Sequence, residues 1–436
     1  MLKAGIVSVL FITQAAFGTD LGTAVDKDYA YLDALYQHLH SNPEISFQEE
    51  KTSARIAHEL SIVGFTVTEN VGGYGVVAVL KNGDGPTVLV RTDMDGLPVH
   101  EQTGLSFAST VTTVDDSGKT VPAMHACGHD VHMTSFVGTA RRLAAMQDKW
   151  HGTLVMIGQP AEERVGGAKA MLADGLFTRF PRPDYNIALH VSATMPAGDI
   201  GVASGFALAN VDSVDIEVKG IGGHGAYPHT TKDPVLLASQ IVVALQTLVS
   251  RETSPLEPAV VTVGSFHAGT KHNIISDSAH LQLTVRSYAD DVRKNLLEGI
   301  KRIAKAQAAS YGLPEDKWPE VTYSEGTPAT YNDPGLTSRI QAALTAKLGE
   351  DHVHTLAPVM GAEDFAFYGR DEPKIPSLMF WLGAAKSEDV AAAKRGEIRL
   401  PSLHSPFFVP DRENTLKQGV TAMTSAVLEL MAGPAS

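Results

Sequence analysis

Five short clusters in this 436-residue chain hold residue types that bind cations and move protons. They are Arg91-Thr92-Asp93-Met94-Asp95-Gly96-Leu97-Pro98, Met124-His125-Ala126-Cys127-Gly128-His129-Asp130, Gln159-Pro160-Ala161-Glu162-Glu163, Ala188-Leu189-His190-Val191 and Leu403-His404-Ser405-Pro406. Cys127 and His129 offer a thiolate and an imidazole two positions apart. Glu162 and Glu163 add carboxylates, and His190 and His404 add two more imidazoles. A Cys, three His and a Glu exceed the ligands of one tetrahedral zinc. They suit two divalent ions sharing a bridge, with a water between them whose pKa such binding brings to about 7. One glutamate of the pair can then ligate while the other stays free as a proton shuttle.

Cys127 is the only cysteine, so the chain has no internal disulfide. Its thiol is either a small buried core residue or chemically employed. A cysteine nucleophile with a nearby histidine as base is the competing chemistry. The two-residue spacing to His129 suits ligation better than proton transfer. His38, His40, His58, His151 and His352 stand outside the clusters and read as ordinary surface or core histidines.

The elements that must position these clusters are legible from periodicity. Tyr31, Leu32, Leu35 and Leu39 share one face of a helix expected over Asp28–Asn42, and a second helix is expected over Glu49–Val63 with Gly64 as its cap. Gly75–Lys81 and Thr87–Val90, around the turn Asn82-Gly83-Asp84-Gly85, read as a hairpin. A helix after Asp130, a strand at Thr153–Ile157, a short helix at Ala168–Asp174 and a strand at Asn186–His190 complete an α/β alternation. That alternation implies a sheet covered by helices on both faces. Three of the five clusters directly follow expected strands, where an open α/β sheet binds its ligands.

Near residue 205 the character changes. The strand Val211–Lys219, helix Pro234–Ser250, strands Val260–Phe266 and Ala279–Ser287, helix Asp290–Ser310 and strand Glu320–Glu325 follow in the order β-α-β-β-α-β. This is the order of a ferredoxin-like unit. The expected organisation is a split catalytic α/β domain with a mixed sheet, residues 19–204 and 328–436, carrying an inserted α+β lid and dimerisation domain, residues 205–327.

Composition bounds the partners. Hydrophobic residues at 44% and charged residues at 19% fit a globular chain. A formal net charge of −14 without a basic stripe speaks against nucleic acid as a partner. Lys3, the apolar run Ala4–Phe17 and small residues near Gly18 read as a cleaved secretory signal over residues 1–18. The run is shorter than the roughly 20 residues of a membrane span, and no other stretch reads as one. A periplasmic or secreted protein is expected, with no stable membrane span after cleavage. Lipidation is excluded because no Cys lies near the cleavage point.

The motifs MHACGHD, QPAEE and Gly222-Gly223-His224-Gly225-Ala226-Tyr227-Pro228-His229 resemble those of the metal-dependent amidohydrolases of the aminoacylase, hippurate-hydrolase and auxin-conjugate-hydrolase type, within a wider superfamily of co-catalytic metallopeptidases. The resemblance covers about residues 28–431. It implies a small N-acyl amino acid or related amide as substrate and two divalent ions. It makes Cys127 the bridging ligand, completed by His129, Glu163, His190 and His404, with Glu162 as general base and then acid. Asp93 would orient a ligand from behind, and Glu363-Asp364 would support the site. It also implies a homodimer in which His224 reaches across the interface to steady the oxyanion, while Asn273 and Arg286 hold the substrate's carboxylate. An ion pair within its strand is the other reading of Arg286. The chain departs from the pattern at Arg91, where the wider superfamily has His, at Gly96 in place of Ala, and at Ser276 in place of Pro. Thiolate and imidazole favour zinc, whereas the carboxylate tolerates manganese, cobalt or nickel. A non-catalytic exported binding protein is the remaining alternative. With every expected catalytic position filled, the sequence does not favour it.

Overall fold

The computed structural model describes residues 12–432, with side chains from residue 21 onward. The expected leader therefore lies outside the described residues up to residue 11. From Ile12 the backbone belongs to the helix Ile12–Ser41, which begins well before the Asp28 start that periodicity suggests.

The central sheet has eight strands in the spatial order Thr66–Thr68, Val76–Asn82, Gly152–Gln159, Thr87–Asp93, Tyr185–Pro196, Ser377–Ala385, Ile200–Val202 and Val353–Thr355. The four middle strands run parallel, and antiparallel strands flank them, so the sheet is mixed. Strand side chains alternate between two cores. Val88, Val90, Leu154 and Met156 face the helices Ile12–Ser41, His129–Ala145 and Arg412–Met431, while Leu89, Val155 and Ile157 face the opposite side with Met171 and Tyr368. This is an α/β fold with helices on both faces.

The hairpin expected around Asn82–Gly85 does not form. Gly152–Gln159 inserts between the two strands, antiparallel to Val76–Asn82 and parallel to Thr87–Asp93. Both strands are buried on both faces at their apolar positions, and such strands gain more from interior positions than from a free hairpin. Gly152 allows the crossing: at φ +116°, its Cβ would stand 2.2 Å from the Pro86 carbonyl oxygen.

Residues 211–327 build a second sheet with its own core. Its strands lie in the order Ala259–Ala268, Ser278–Ser287, Val211–Lys219 and Glu320–Thr327, all antiparallel. The helices Pro234–Thr247 and Asp290–Ser310 cover one face through Leu237, Ile241, Leu296 and Ile300. Two short strands, Gly205–Leu208 and Thr330–Asn332, pair with each other where the chain enters and leaves this unit. Pro234–Glu252 is a helix long and apolar enough to cross a membrane, with a mean hydropathy of 1.4, which the sequence reading overlooked. Here Leu237, Ala238, Ile241 and Leu245 pack it onto the sheet.

Candidate metal centre

Two of the parallel strands end together, and the chemistry gathers at that level of the sheet. Asp93 closes one strand opposite Gln159, the last residue of the next, and His190 lies beside Trp381 in the adjoining pair. Cys127 precedes the helix His129–Ala145, entered through Gly128 at φ +77°. A Cβ at Gly128 would meet Val191 at 2.6 Å, so only glycine lets this turn approach the neighbouring strand. Glu162 and Glu163 sit in a tight turn in which Val165 N–H donates to the Glu162 carbonyl at 2.7 Å and Ala161 and Val165 take positive φ. His404 also has positive φ, 65°, and its N–H bonds the Ala126 carbonyl at 2.9 Å, which pins the last ligand beside Cys127.

Cys127 Sγ lies 3.3 Å from His404 Nε2 and 3.7 Å from His190 Nε2. His129 Nε2 stands 3.8 Å from Glu163 Oε1, which is 3.5 Å from His404 Nε2. Of five groups of potential ligands among the described residues, each within 4.8 Å, two contain the thiol: Cys127 with His129 and His190, and Cys127 with Glu163 and His404. The thiol is common to both, the geometry of a bridge. His129 Nδ1 is committed to the Asp95 carbonyl at 2.7 Å and His190 Nδ1 to the Val191 carbonyl at 2.9 Å, so each ring turns Nε2 inward. His129 Nε2 and Glu163 Oε1 are buried without a hydrogen-bond partner. Orphaned donor atoms converging with a soft thiol are the chemistry of a metal site, and these residues fit divalent ions.

Burial, then the charges of Glu363 and Glu163, push Glu162 well above the usual carboxylate range. Burial also raises Glu163 to about 7, with His129 opposing and Asp95 adding. Burial, then Glu163 and Glu162, push the Cys127 thiol up. Burial beside neighbouring carboxylates thus disfavours the charged forms of all three groups, while Asp93 and Asp95 hold His129 up at about 10 against its burial.

Asp93 makes no direct hydrogen bond to any of the five expected ligands among the described residues. Its Oδ1 meets His132 Nδ1 at 2.7 Å, its Oδ2 accepts from Arg91 at 2.6 Å, and His129 Nε2 stays 3.8 Å away. The holder of His129 is Asp95, whose carboxylate also accepts from Glu162 N at 3.2 Å, Glu163 N at 3.0 Å and Ser46 Oγ at 2.6 Å. Sequence reasoning missed Asp95, although the Asp-Met-Asp spacing offered two candidates. It also missed His132, whose Nε2 accepts from Val191 N at 2.9 Å and so ties the His190 strand to the helix of His129. Arg91 is fully buried and bonds Asp93, Gln159, Glu363 and Asp364, a fixed cation behind Glu162.

The ligands open onto a cleft of about 460 Å³. Arg286 reaches it from the second sheet, held by the Met360 carbonyl at 2.7 Å and paired with no carboxylate among the described residues. The ion-pair reading of Arg286 therefore fails. His224 and Asn273 do not line this cleft. Their two loops pair with each other instead, Gly225 N–H donating to the Asn273 carbonyl at 2.9 Å and His224 lying opposite Ile274, exposed, with Nδ1 accepting from Ala226 N at 3.0 Å.

A thiol, imidazoles and carboxylates gathered at the carboxyl ends of parallel strands define a metal-dependent hydrolase. The chain belongs to the peptidase family M20/M25/M40, whose family model matches residues 89–405. It is 38% identical over 371 residues to the putative amidohydrolase YhaA of Bacillus subtilis (strain 168), covering 85% of this chain and 89% of that one. It is 37% identical over 341 residues to the hippurate hydrolase of Campylobacter jejuni, covering 77% and 84%. The crystal structure of the Bacillus subtilis YXEP protein, a dinuclear metal-binding peptidase of the M20 family, matches with a TM-score of 0.73 and 31% identity over 93% of this chain and 100% of that one. Membership in a hydrolase family removes the binding-protein alternative.

Proposed function

We propose that the chain hydrolyses the amide bond of small N-acyl amino acids or related amides. The observation that carries this is a thiol shared by two ligand groups, with the buried Glu162 beside them and the unpaired Arg286 in the same cleft. Cys127, His129, Glu163, His190 and His404 would hold two divalent ions, which lower the pKa of water and polarise a carbonyl. Arg286 grips the substrate carboxylate through charge-assisted hydrogen bonds and sets the amide across the cleft. Glu162, raised by burial and by its carboxylate neighbours, takes a proton from water as it adds to the carbonyl and returns it to the departing nitrogen. Asp95 keeps the Glu162-Glu163 turn in place during both transfers.

The enzyme acts as a homodimer in this reading, with His224 of the partner subunit near the developing oxyanion. Two features support it: the strand Ala259–Ala268 is a sheet edge, and on the helix beside it Leu236 and Val243 are 47% and 71% exposed. Export to the periplasm or medium rests on Lys3 and the apolar run after it.

The test is metal content and turnover of Glu162→Gln and Glu163→Gln with hippurate and other N-acyl amino acids. Glu162→Gln is expected to lose turnover and keep about two ions, since only proton transfer is removed. Glu163→Gln is expected to lose metal as well. The opposite pattern would reverse the two roles.

A further inference from the structure

Glu49 stands at the N-cap position of the helix Glu50–Ser61, yet its side chain does not cap that helix. Glu44 takes that role, its carboxylate accepting from Lys51 N at 3.2 Å, Thr52 N at 2.8 Å and Thr52 Oγ1 at 2.9 Å. The Glu49 side chain turns inward and is fully buried. Its Oε1 accepts from two backbone N–H groups, of Phe47 at 3.0 Å and Ala161 at 2.7 Å, while Oε2 is buried without a hydrogen-bond partner.

Both donors lie in left-handed backbone, Phe47 at φ 65° and Ala161 at φ 49°. Neither is glycine, so this conformation has to be held by its surroundings. Ala161 opens the turn that carries Glu162 and Glu163, and its carbonyl accepts from Gly166 N at 3.1 Å and Gly167 N at 3.2 Å. The ring of Phe47 lies against the far end of the same turn, where a Cβ at Gly166 would stand 2.7 Å from its Cζ. The consecutive N–H groups of Ala161, Glu162 and Glu163 thus end on two buried carboxyls, the first on Glu49 and the next two on Asp95. Burial, then the charge of Asp95, raise Glu49 to about 8, so that Glu49 carries a proton at neutral pH.

We propose that Glu49 is a positioning residue for Glu162: through the Ala161 N–H it fixes the start of the catalytic turn, while Asp95 fixes the two glutamates that follow. The proposal rests on Glu162 as the proton carrier of the reaction above, but the tether itself is measurable without turnover. What the tether requires is an acceptor at Oε1, with no demand for a charge.

The test compares Glu49→Gln with Glu49→Met in the metal-loaded full chain. Glutamine keeps the acceptor, and methionine removes it at similar size. Glu49→Met is expected to lower kcat by about 30-fold or more with KM within about threefold, because two buried N–H groups lose their acceptor and the turn relaxes. Its metal content should stay at about two ions, since Asp95 still holds Glu163. Amide hydrogen exchange in residues 160–167 should quicken by about tenfold or more, with no change in the helix Glu50–Ser61. Glu49→Gln should stay within about threefold of wild type in kcat and in exchange. Thr52→Val, which removes a bond to Glu44 and none from the turn, should lower stability and leave kcat unchanged. The proposal is overturned if Glu49→Gln is as damaged as Glu49→Met, or if Glu49→Met changes neither kcat nor exchange. Faster exchange spread through residues 50–61 would also overturn it, because that marks support of the helix. Should methionine prevent folding, Glu49→Gln decides alone: activity within about threefold supports the tether, and a larger fall overturns it. A wild-type enzyme that hydrolyses no N-acyl amino acid would sink the proposed reaction, and exchange in residues 160–167 would still decide whether Glu49 holds the turn.

Discussion

Replacing Asp95 with Asn separates position from charge at the metal centre. The carboxylate is almost fully buried and accepts from the backbone N–H groups of Glu162 and Glu163 and from Ser46, with one oxygen for the first and the other for the last two. A carboxamide has the same size but only one accepting end. Its NH2 group must then face either the Glu162 N–H or the Glu163 N–H with Ser46. At least one hydrogen bond to a charged acceptor is lost, worth about 1.5–3 kcal/mol, and a buried donor is left unpaired at about 1–3 kcal/mol more. If about 2–4 kcal/mol of this appears as misplacement of the two glutamates, kcat/KM falls by about 30- to 1000-fold. The change in charge works the other way. Asp95 contributes to raising Glu163, after burial and against His129, so its neutralisation favours the ionised ligand and tighter metal binding. Position and charge thus predict opposite movements in metal affinity. We expect the positional effect to win, with kcat falling more than KM rises and metal per chain dropping below two in elemental analysis. An Asp95→Asn enzyme with full metal content and activity within about threefold of wild type would refute this account.

Three further outcomes follow from the same coordinates. Cys127 in the metal-loaded protein should resist alkylation, while stripped protein takes up one equivalent; equal labelling by mass spectrometry would remove it from the ligand set. Burial opposes the charge on His40, yet hydrogen bonds to Asp130 and Glu101 raise it to about 9. Because the folded pKa lies above the unfolded one, this contribution of about 3 kcal/mol is complete below pH ~6.5 and is lost as pH rises through about 9. Urea melts across that window should show the decline in wild type and not in the less stable His40→Gln. Co-expressed His224→Ala and Glu162→Gln chains should recover activity in mixed dimers if His224 acts across the interface, whereas the same mixture stays inactive if it acts within its own chain.

Most of the candidate site was legible because its residues come in local clusters whose types are rare together. Cys127, His129, Glu162 and Glu163 are named by short motifs, and the strands before them by plain apolar runs. What could not be read was which strand lies beside which. Pairing of Gly152–Gln159 with Val76–Asn82 spans some seventy residues, and the Asn82–Gly85 turn made the local hairpin the more economical reading. Asp95 was hidden differently. Its motif offers two aspartates, and only the fold shows that one faces His132 and Arg91 while the other holds the Glu162-Glu163 turn. His40 looked ordinary because both of its partners, Glu101 and Asp130, are distant in sequence.

The net charge of −14 carried no hint of where the negative charge would gather. In the fold, Asp93, Asp95, Glu162, Glu363 and Asp364 are all buried within one neighbourhood, with Glu163 at its edge. Arg91 stands where the wider superfamily has a histidine, so its place in the pattern said nothing of its task. It now accounts for three of these carboxylates, Asp93, Glu363 and Asp364. Asp95 is satisfied by N–H and hydroxyl donors. Subtracting those leaves Glu162 and Glu163, with oxygens 3.9 and 3.8 Å from His129 Nε2, and of the two only Glu163 has a buried oxygen without a hydrogen-bond partner. The charges already paired around them thus leave two adjacent glutamates in different surroundings, and that difference is what the Glu162→Gln and Glu163→Gln variants read.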